Sequence, residues 1–208
     1  VIPDGNRRWA KEHNLPNVLG YSYAAKKLED FLKWCINDFD IREITVYVLS
    51  KENVEKRNKK ELDIILRLLN KYLEKWDKDN IFEKKEIRIN FIGDLGFLPE
   101  KLLYKMERLH KRTENYNKYQ INLLINYSVY YEILKIIEKI KKYDNVNEEI
   151  IRENLLIKDI DLIIRTGGYH RLSGFPPLQS SYAEIYVLEK YWPDINKKDL
   201  ENALNWFY

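Results

Sequence analysis

Two stretches of this sequence have residue types suited to holding phosphate oxygens. The first is Pro3-Asp4-Gly5-Asn6-Arg7-Arg8-Trp9-Ala10; the second runs Ile164-Arg165-Thr166-Gly167-Gly168-Tyr169-His170-Arg171-Leu172-Ser173-Gly174-Phe175. Five of the seven glycines fall in or near them: Gly5 and Gly20 early, Gly167, Gly168 and Gly174 late. Glycine lets backbone amides approach an anion closely or adopt positive φ, so Gly beside Arg at a strand end suggests an oxyanion cradle. In the first stretch a tight turn would open a helix whose free amides face the anion. Asp4 would repel that anion unless a divalent cation lay between them, which implies Mg²⁺. The same Asp-Gly-Asn also reads as a plain turn with a helix cap, and the two arginines weigh against that reading. In the second stretch Arg165 and Arg171 supply two planar forks and Ser173 a hydroxyl, a set fit to grip a second diphosphate, with an incidental surface loop as the alternative. Two cradles and one acid imply either two phosphorylated reactants or one molecule with two phosphate groups.

These residues need a scaffold, and the hydrophobic pattern describes one. Short β-branched runs alternate with stretches of helical period, the pattern of an α/β domain with a mainly parallel sheet flanked by helices. Strands are expected at Glu43 to Leu49, Ile87 to Ile92, Gln120 to Asn126, Asp161 to Arg165 and Ile185 to Leu188. Val1-Ile2-Pro3 reads as the tail of another, its earlier residues upstream, giving about six. Helices are expected at Tyr23 to Asp38, Lys59 to Trp76, Pro99 to Arg112 with Pro in the first turn, Tyr130 to Lys142, Asn147 to Leu155 and Lys197 to Trp206. The first two are long and amphipathic: Leu28, Phe31, Leu32, Cys35 and Ile36 share one face, as do Leu62, Ile65, Leu66, Leu69, Leu73 and Trp76.

Bulk properties narrow the class. A chain of 208 residues, 45% hydrophobic and 33% charged, is expected to fold as one domain spanning 1–208. Its 36 basic and 33 acidic residues are intermixed, so charge gives no sign of a nucleic-acid surface. The Lys-rich patches near Lys56 to Lys60 and Lys139 to Lys142 read as solvated helix surface. Cys35 is the lone cysteine, which excludes an internal disulfide and a cysteine-based zinc site and fits a reducing cytoplasm. No apolar run approaches a membrane span.

The sequence resembles the cis-prenyltransferases, the family of undecaprenyl and dehydrodolichyl diphosphate synthases. Asp4-Gly5-Asn6-Arg7-Arg8-Trp9-Ala10 is similar to the family's opening signature in its archaeal and eukaryotic form. Ser50-Lys51-Glu52-Asn53, Ile92-Gly93-Asp94, Asn126-Tyr127, Arg165-Thr166-Gly167-Gly168 with Arg171-Leu172-Ser173, Tyr182-Ala183-Glu184 and Trp192-Pro193-Asp194 follow in family order. The resemblance implies sequential addition of isopentenyl diphosphate to an allylic primer such as farnesyl or geranylgeranyl diphosphate, giving a long polycis-prenyl diphosphate. It implies Asp4 as the essential acid placing Mg²⁺, with His170 and Glu184 at the other metal-associated positions. Gly5, Asn6, Arg7 and Arg8, with Trp9, Tyr21 and Arg57, match allylic-substrate positions. Arg165, Arg171 and Ser173 match isopentenyl diphosphate positions, Ser50 and Asn53 would lie near the reacting carbons, and Asn6, Ser50 and Asn53 join Asp4 as the implied catalytic residues. The product needs an apolar tunnel, for which the space between the sheet and the two long helices is the candidate. A homodimer paired near Tyr182 to Leu188, a cytoplasmic location and peripheral membrane contact for product release are also implied.

Several positions depart from the family pattern. Tyr169 stands where Glu is common, Tyr21 where His is, Asn17 where many members have Arg, Val54 where an aromatic is usual, and Ser128-Val129 where Gly-Gly is common. These bear on primer and product length. A non-catalytic partner subunit of a heteromeric enzyme is the alternative. The helical trans-prenyltransferases are excluded by the strands and by the lack of an Asp-Asp-x-x-Asp motif.

Overall fold

The structure, a computed structural model, describes residues 1–208. Five strands form where β-branched and aromatic residues cluster: β1 (Glu43–Ser50), β2 (Ile87–Ile92), β3 (Tyr119–Tyr127), β4 (Leu162–Thr166) and β5 (Glu184–Leu188). β3 lies between β1 and β2, and β5 beside β4, every pair parallel. The expected sixth strand is a two-residue link. The Tyr47 amide donates to the Val1 carbonyl at 3.0 Å, and the Ile2 amide donates to the Ile164 carbonyl at 2.9 Å. Val1 and Ile2 thus join the two sheets edge to edge, too short a ladder to form a strand of their own.

Nine α-helices connect and cover the strands: α1 (Asn6–Glu12), α2 (Asn17–Lys33), α3 (Lys51–Lys56), α4 (Lys59–Lys78), α5 (Ile81–Lys85), α6 (Glu100–Thr113), α7 (Val129–Ile140), α8 (Glu148–Glu153) and α9 (Lys197–Phe207). Their starts follow side-chain caps: the Ser50, Asn58, Ser128, Asn147 and Asn196 side chains each accept from a first-turn amide. α2 begins six residues before the expected Tyr23, because Pro16 sets an extended residue at the cap and Gly20 is tolerated within the helix. It ends as expected, through a π-helical turn at Trp34–Asp38. Pro99 caps α6 and is not in its first turn.

β3 is buried along almost its whole length because both of its edges are paired. On one face Val46, Ile89, Leu123 and Ile125 pack against Phe31 and Cys35 of α2, Leu73 and Trp76 of α4, and Met106 and Leu109 of α6. On the other face the side chains of Asn90, Gln120, Asn122, Glu43 and Thr45 form a satisfied hydrogen-bonded row, giving way to Leu124 and Tyr47 toward the strand ends. Because all strands are parallel, Ser50, Tyr127, Thr166 and Leu188 end at one edge, where open α/β sheets place ligands.

Candidate active site

Residues 4–8 and 165–173 meet at that edge. The Asp4 amide donates to the Thr166 hydroxyl at 2.8 Å, the hydroxyl donates back to the Asp4 carbonyl at 2.8 Å, and the Trp192 amide donates to the same carbonyl at 3.0 Å. Gly5 then turns the chain with φ 95°, and a Cβ there would stand 2.4 Å from the Tyr191 ring. Gly167, at φ 84°, leaves room for Arg8, whose Nη1 donates to the Gly167 carbonyl at 2.9 Å. Both glycines are required by conformation and by close approach.

The Asp4 carboxylate sits between the two stretches, about one-third exposed. Its Oδ2 accepts from Arg165 Nη2 at 2.7 Å, its Oδ1 from the Gly5 amide at 2.6 Å, and Arg8 Nη2 lies 3.7 Å away. Arg165 is 2% exposed, and its Nη1 donates to the Ser173 hydroxyl at 2.9 Å and to the Arg171 carbonyl. Its fork is therefore taken up by protein acceptors. Arg165 organises the loop, while exposed Arg171, whose Nε donates to Ser173 Oγ at 3.2 Å, is the arginine open to a ligand.

A second group lines the approach from α2 and α3. Ser50 caps α3 by accepting from the Asn53 amide, and Asn53 Oδ1 accepts from Arg57 at 2.7 Å. The Arg57 guanidinium lies 5.0 Å from the Tyr21 ring centre. Burial depresses the Arg57 pKa, as does the nearby Arg7 charge, whereas burial raises that of the Tyr21 phenol. Buried polar atoms without a protein partner gather here: Asn6 Oδ1, Arg8 Nη2, Tyr21 Oη and Arg165 Nε are four of the eight in the molecule. Such atoms are costly to leave unpaired, so their concentration marks a place where a polar ligand belongs.

The structure bears on two further sequence expectations. Trp9 is 6% exposed and its indole N–H donates to Asp194 at 2.6 Å, so it anchors α1 to the Trp192–Asp194 turn and does not face the cleft. Within a single chain no three His, Cys, Asp or Glu residues gather in a way that would hold a metal. Glu184 pairs with Leu162 at the start of β5, whereas the Asp4 site lies beyond Thr166 at the strand's far end, about 13 Å along the ladder. His170 is exposed on the loop. Thr166 was missed, although a hydroxyl directly after the strand-end arginine signals it. Tyr191 was also missed, and it lies 5.1 Å from the Arg8 guanidinium with no local motif to announce it.

This parallel α/β fold, with a carboxylate held among arginines at its strand ends, defines a class of enzyme that handles diphosphates. Residues 2–208 match the family described as putative undecaprenyl diphosphate synthase, and the chain belongs to that family, the cis-prenyltransferases. It is a prenyl-transferring enzyme. Tritrans,polycis-undecaprenyl-diphosphate synthase (geranylgeranyl-diphosphate specific) of Sulfurisphaera tokodaii is 38% identical, covering 98% of this chain and 82% of its own. The enzyme of that name from Thermoplasma acidophilum is 35% identical, covering 98% and 83%. Among solved structures, lavandulyl diphosphate synthase from Lavandula x intermedia, in complex with dimethylallyl diphosphate, superposes with a TM-score of 0.90 at 25% identity, covering 99% and 92%. A probable undecaprenyl diphosphate synthase from Campylobacter jejuni gives 0.81 at 31% identity, covering 100% and 91%.

Proposed function

We propose that this cis-prenyltransferase adds isopentenyl diphosphate repeatedly to an allylic diphosphate, geranylgeranyl diphosphate being the primer its relatives' names suggest, to make a long polycis-prenyl diphosphate of undecaprenyl type. One observation carries the reading: the Asp4 carboxylate and the Arg165 guanidinium are in direct contact, which brings the cradle of the first stretch beside Arg171 and Ser173 of the second, so two diphosphate heads held there lie side by side. Gly5, Asn6, Arg7 and Arg8, with Tyr21 and Arg57, form the allylic cradle. Arg171 and Ser173, oriented by Arg165, form the isopentenyl one.

Asp4 fits Mg²⁺ as a single partly exposed carboxylate beside phosphate sites, the usual arrangement in which substrate oxygens and water complete the shell. Held there by Asp4, the ion would supply positive charge against that of the departing diphosphate. Around it the arginines hold the diphosphate oxygens as negative charge develops, the role electrostatic preorganisation plays best. The allylic carbon–oxygen bond breaks with its electron pair leaving on diphosphate. The isopentenyl double bond supplies the pair for the new carbon–carbon bond, and loss of a proton leaves the cis alkene. Ser50 and Asn53, at the mouth between β1 and α3, would sit beside the reacting carbons.

The lengthening chain is proposed to lie along α2 and α4, where Leu62, Ile65, Leu66 and Leu69 are only half-buried. A cavity of about 450 Å³ with mixed apolar and charged lining opens near the end of α2, beside Phe31, Cys35, Ile44 and Leu200. Homodimerisation is proposed through the face carrying Leu134, Ile137 and Ile185, all exposed. No helix is long and apolar enough to cross a membrane, and a cytoplasmic enzyme touching the membrane peripherally is proposed. Incubating the purified chain alone with Mg²⁺, radiolabelled isopentenyl diphosphate and dimethylallyl, farnesyl or geranylgeranyl diphosphate tests the reading. Long products from a single primer are expected; no incorporation with any primer would favour a non-catalytic partner subunit.

A further inference from the structure

Three arginines of the site share one aromatic ring. The guanidinium carbon of Arg171 lies 3.9 Å from the centre of the Tyr169 ring, that of Arg8 4.4 Å and that of Arg165 5.8 Å. They come from different elements: Arg8 from α1, Arg165 from the end of β4, Arg171 from the loop beyond it. Like charges gathered this closely repel, and the ion pairs of the cluster run to one carboxylate, that of Asp4, from Arg165 and Arg8. Arg171 has no carboxylate partner, and two contacts fix it: the Ser173 hydroxyl and the Tyr169 ring.

A ring face attracts guanidinium groups through its quadrupole and leaves their charge uncancelled. A carboxylate at residue 169 would also gather the arginines, at the cost of one positive charge and with repulsion of an incoming diphosphate. We propose that Tyr169 is a positioning residue that couples the two cradles, its single ring aligning Arg8 of one with Arg171 of the other. The reading of both cradles as diphosphate sites underlies this assignment. The site thereby keeps its arginines close together before substrate arrives and keeps their full charge for it. The hydroxyl has no part in this, since the contacts are made to the ring.

The test compares Tyr169→Phe with Tyr169→Leu in the full chain, using calorimetric titration with inorganic diphosphate and steady-state kinetics with both substrates. Tyr169 is 39% exposed, so both variants should fold. Tyr169→Gln, polar but ringless, replaces the Leu variant should that one melt early. The ringless variant should bind diphosphate about tenfold more weakly, the scale of two or so cation–π contacts. KM for both substrates should rise together while kcat stays within about threefold, and Tyr169→Phe should keep the wild-type affinity. Equal affinity in wild-type and ringless chains, or equal losses in the Phe and ringless chains, would overturn the proposal. A wild-type chain that takes up no diphosphate overturns the cradle reading itself, and the proposal with it.

Discussion

The strand-end site and the outer face of α7 and β5 are opposites. At the site, polar atoms of Asn6, Arg8, Tyr21 and Arg165 are buried without partners. On α7, on β5 and just before β5, apolar side chains stand in the open: Tyr130 is 76% exposed, Leu134 60%, Ile185 45% and Tyr182 94%. Burial is incomplete in one region for want of hydrogen-bond partners and in the other for want of apolar cover. A polar ligand satisfies the first; a second protein surface satisfies the second. Each region is thus unfinished in a way that names the chemistry of what completes it.

The largest effect should come from Asp4. Asp4→Asn keeps an acceptor for Arg165 but removes the negative charge and turns an amide donor toward the Gly5 N–H; turnover should fall about 10³-fold, with a smaller loss of stability than Asp4→Ala. Asp4→Ala should lose turnover to the same degree and also stability, because it strands the guanidinium of Arg165, which is 2% exposed. That loss should reach about 3 kcal/mol in chemical denaturation. Near-normal turnover in Asp4→Asn would remove the site from its place in the comparison.

On the other side, Leu134→Glu combined with Ile185→Lys puts charge into the exposed apolar face. The proposed dimer should weaken about 100-fold, giving a monomer in light scattering. The melting temperature at high dilution should hardly change. A parent chain that is already monomeric at micromolar concentration would break the comparison on this side.

The site was more legible in the sequence than the surface around it. Asp4, Gly5, Arg165 and Gly167 announce themselves because close backbone approach and positive φ admit few residue types, so the motif records the geometry. Trp9 misled because its indole partner, Asp194, lies 185 residues away, and no local pattern distinguishes an anchored tryptophan from a ligand platform. The place of Glu184 depends on the parallel register of β4 and β5, which sets it at the opposite end of the ladder from Thr166 and leaves no mark in the local sequence. Helical period found α4 and the greater part of α2, yet periodicity cannot tell a half-buried Leu66 from a buried Leu73. The short α3 and α5 carry too few turns to show a period at all.

A buried polar group that is fully served offers a sharper control. Glu132 is wholly buried on α7, where its carboxylate accepts from Gln179 Nε2 at 2.6 Å, the Leu156 amide at 2.9 Å and the Tyr127 hydroxyl. It ties α7 to β3, to the segment after α8 and to the loop leading into β5. Gln179→Leu withdraws one donor from Glu132, together with a buried Oε1 that has no partner of its own, and should cost about 1 kcal/mol in urea unfolding. Unlike the unpaired atoms of the site, this network should be insensitive to added diphosphate. A variant rescued by diphosphate would show that the two kinds of buried polar group are not distinct.

The smallest effect concerns pH. Burial pushes the Cys35 thiol up from 9.0 to about 12 and the Tyr47 phenol up from 10.0 to about 12. Both groups are neutral in the folded chain over a range where the unfolded chain has begun to ionise. Stability contributed by their neutral forms is complete below about pH 9; above it the unfolded state releases protons that the folded state keeps, and stability falls toward pH 12. Each such group contributes a slope of about 1.4 kcal/mol per pH unit once its unfolded form is ionised. Cys35→Val removes the thiol but leaves the phenol, so urea unfolding measured from pH 8 to 11 should show the variant losing stability later than the parent. Coincident curves would mean that the Cys35 thiol ionises as readily folded as unfolded, contrary to its 1% exposure.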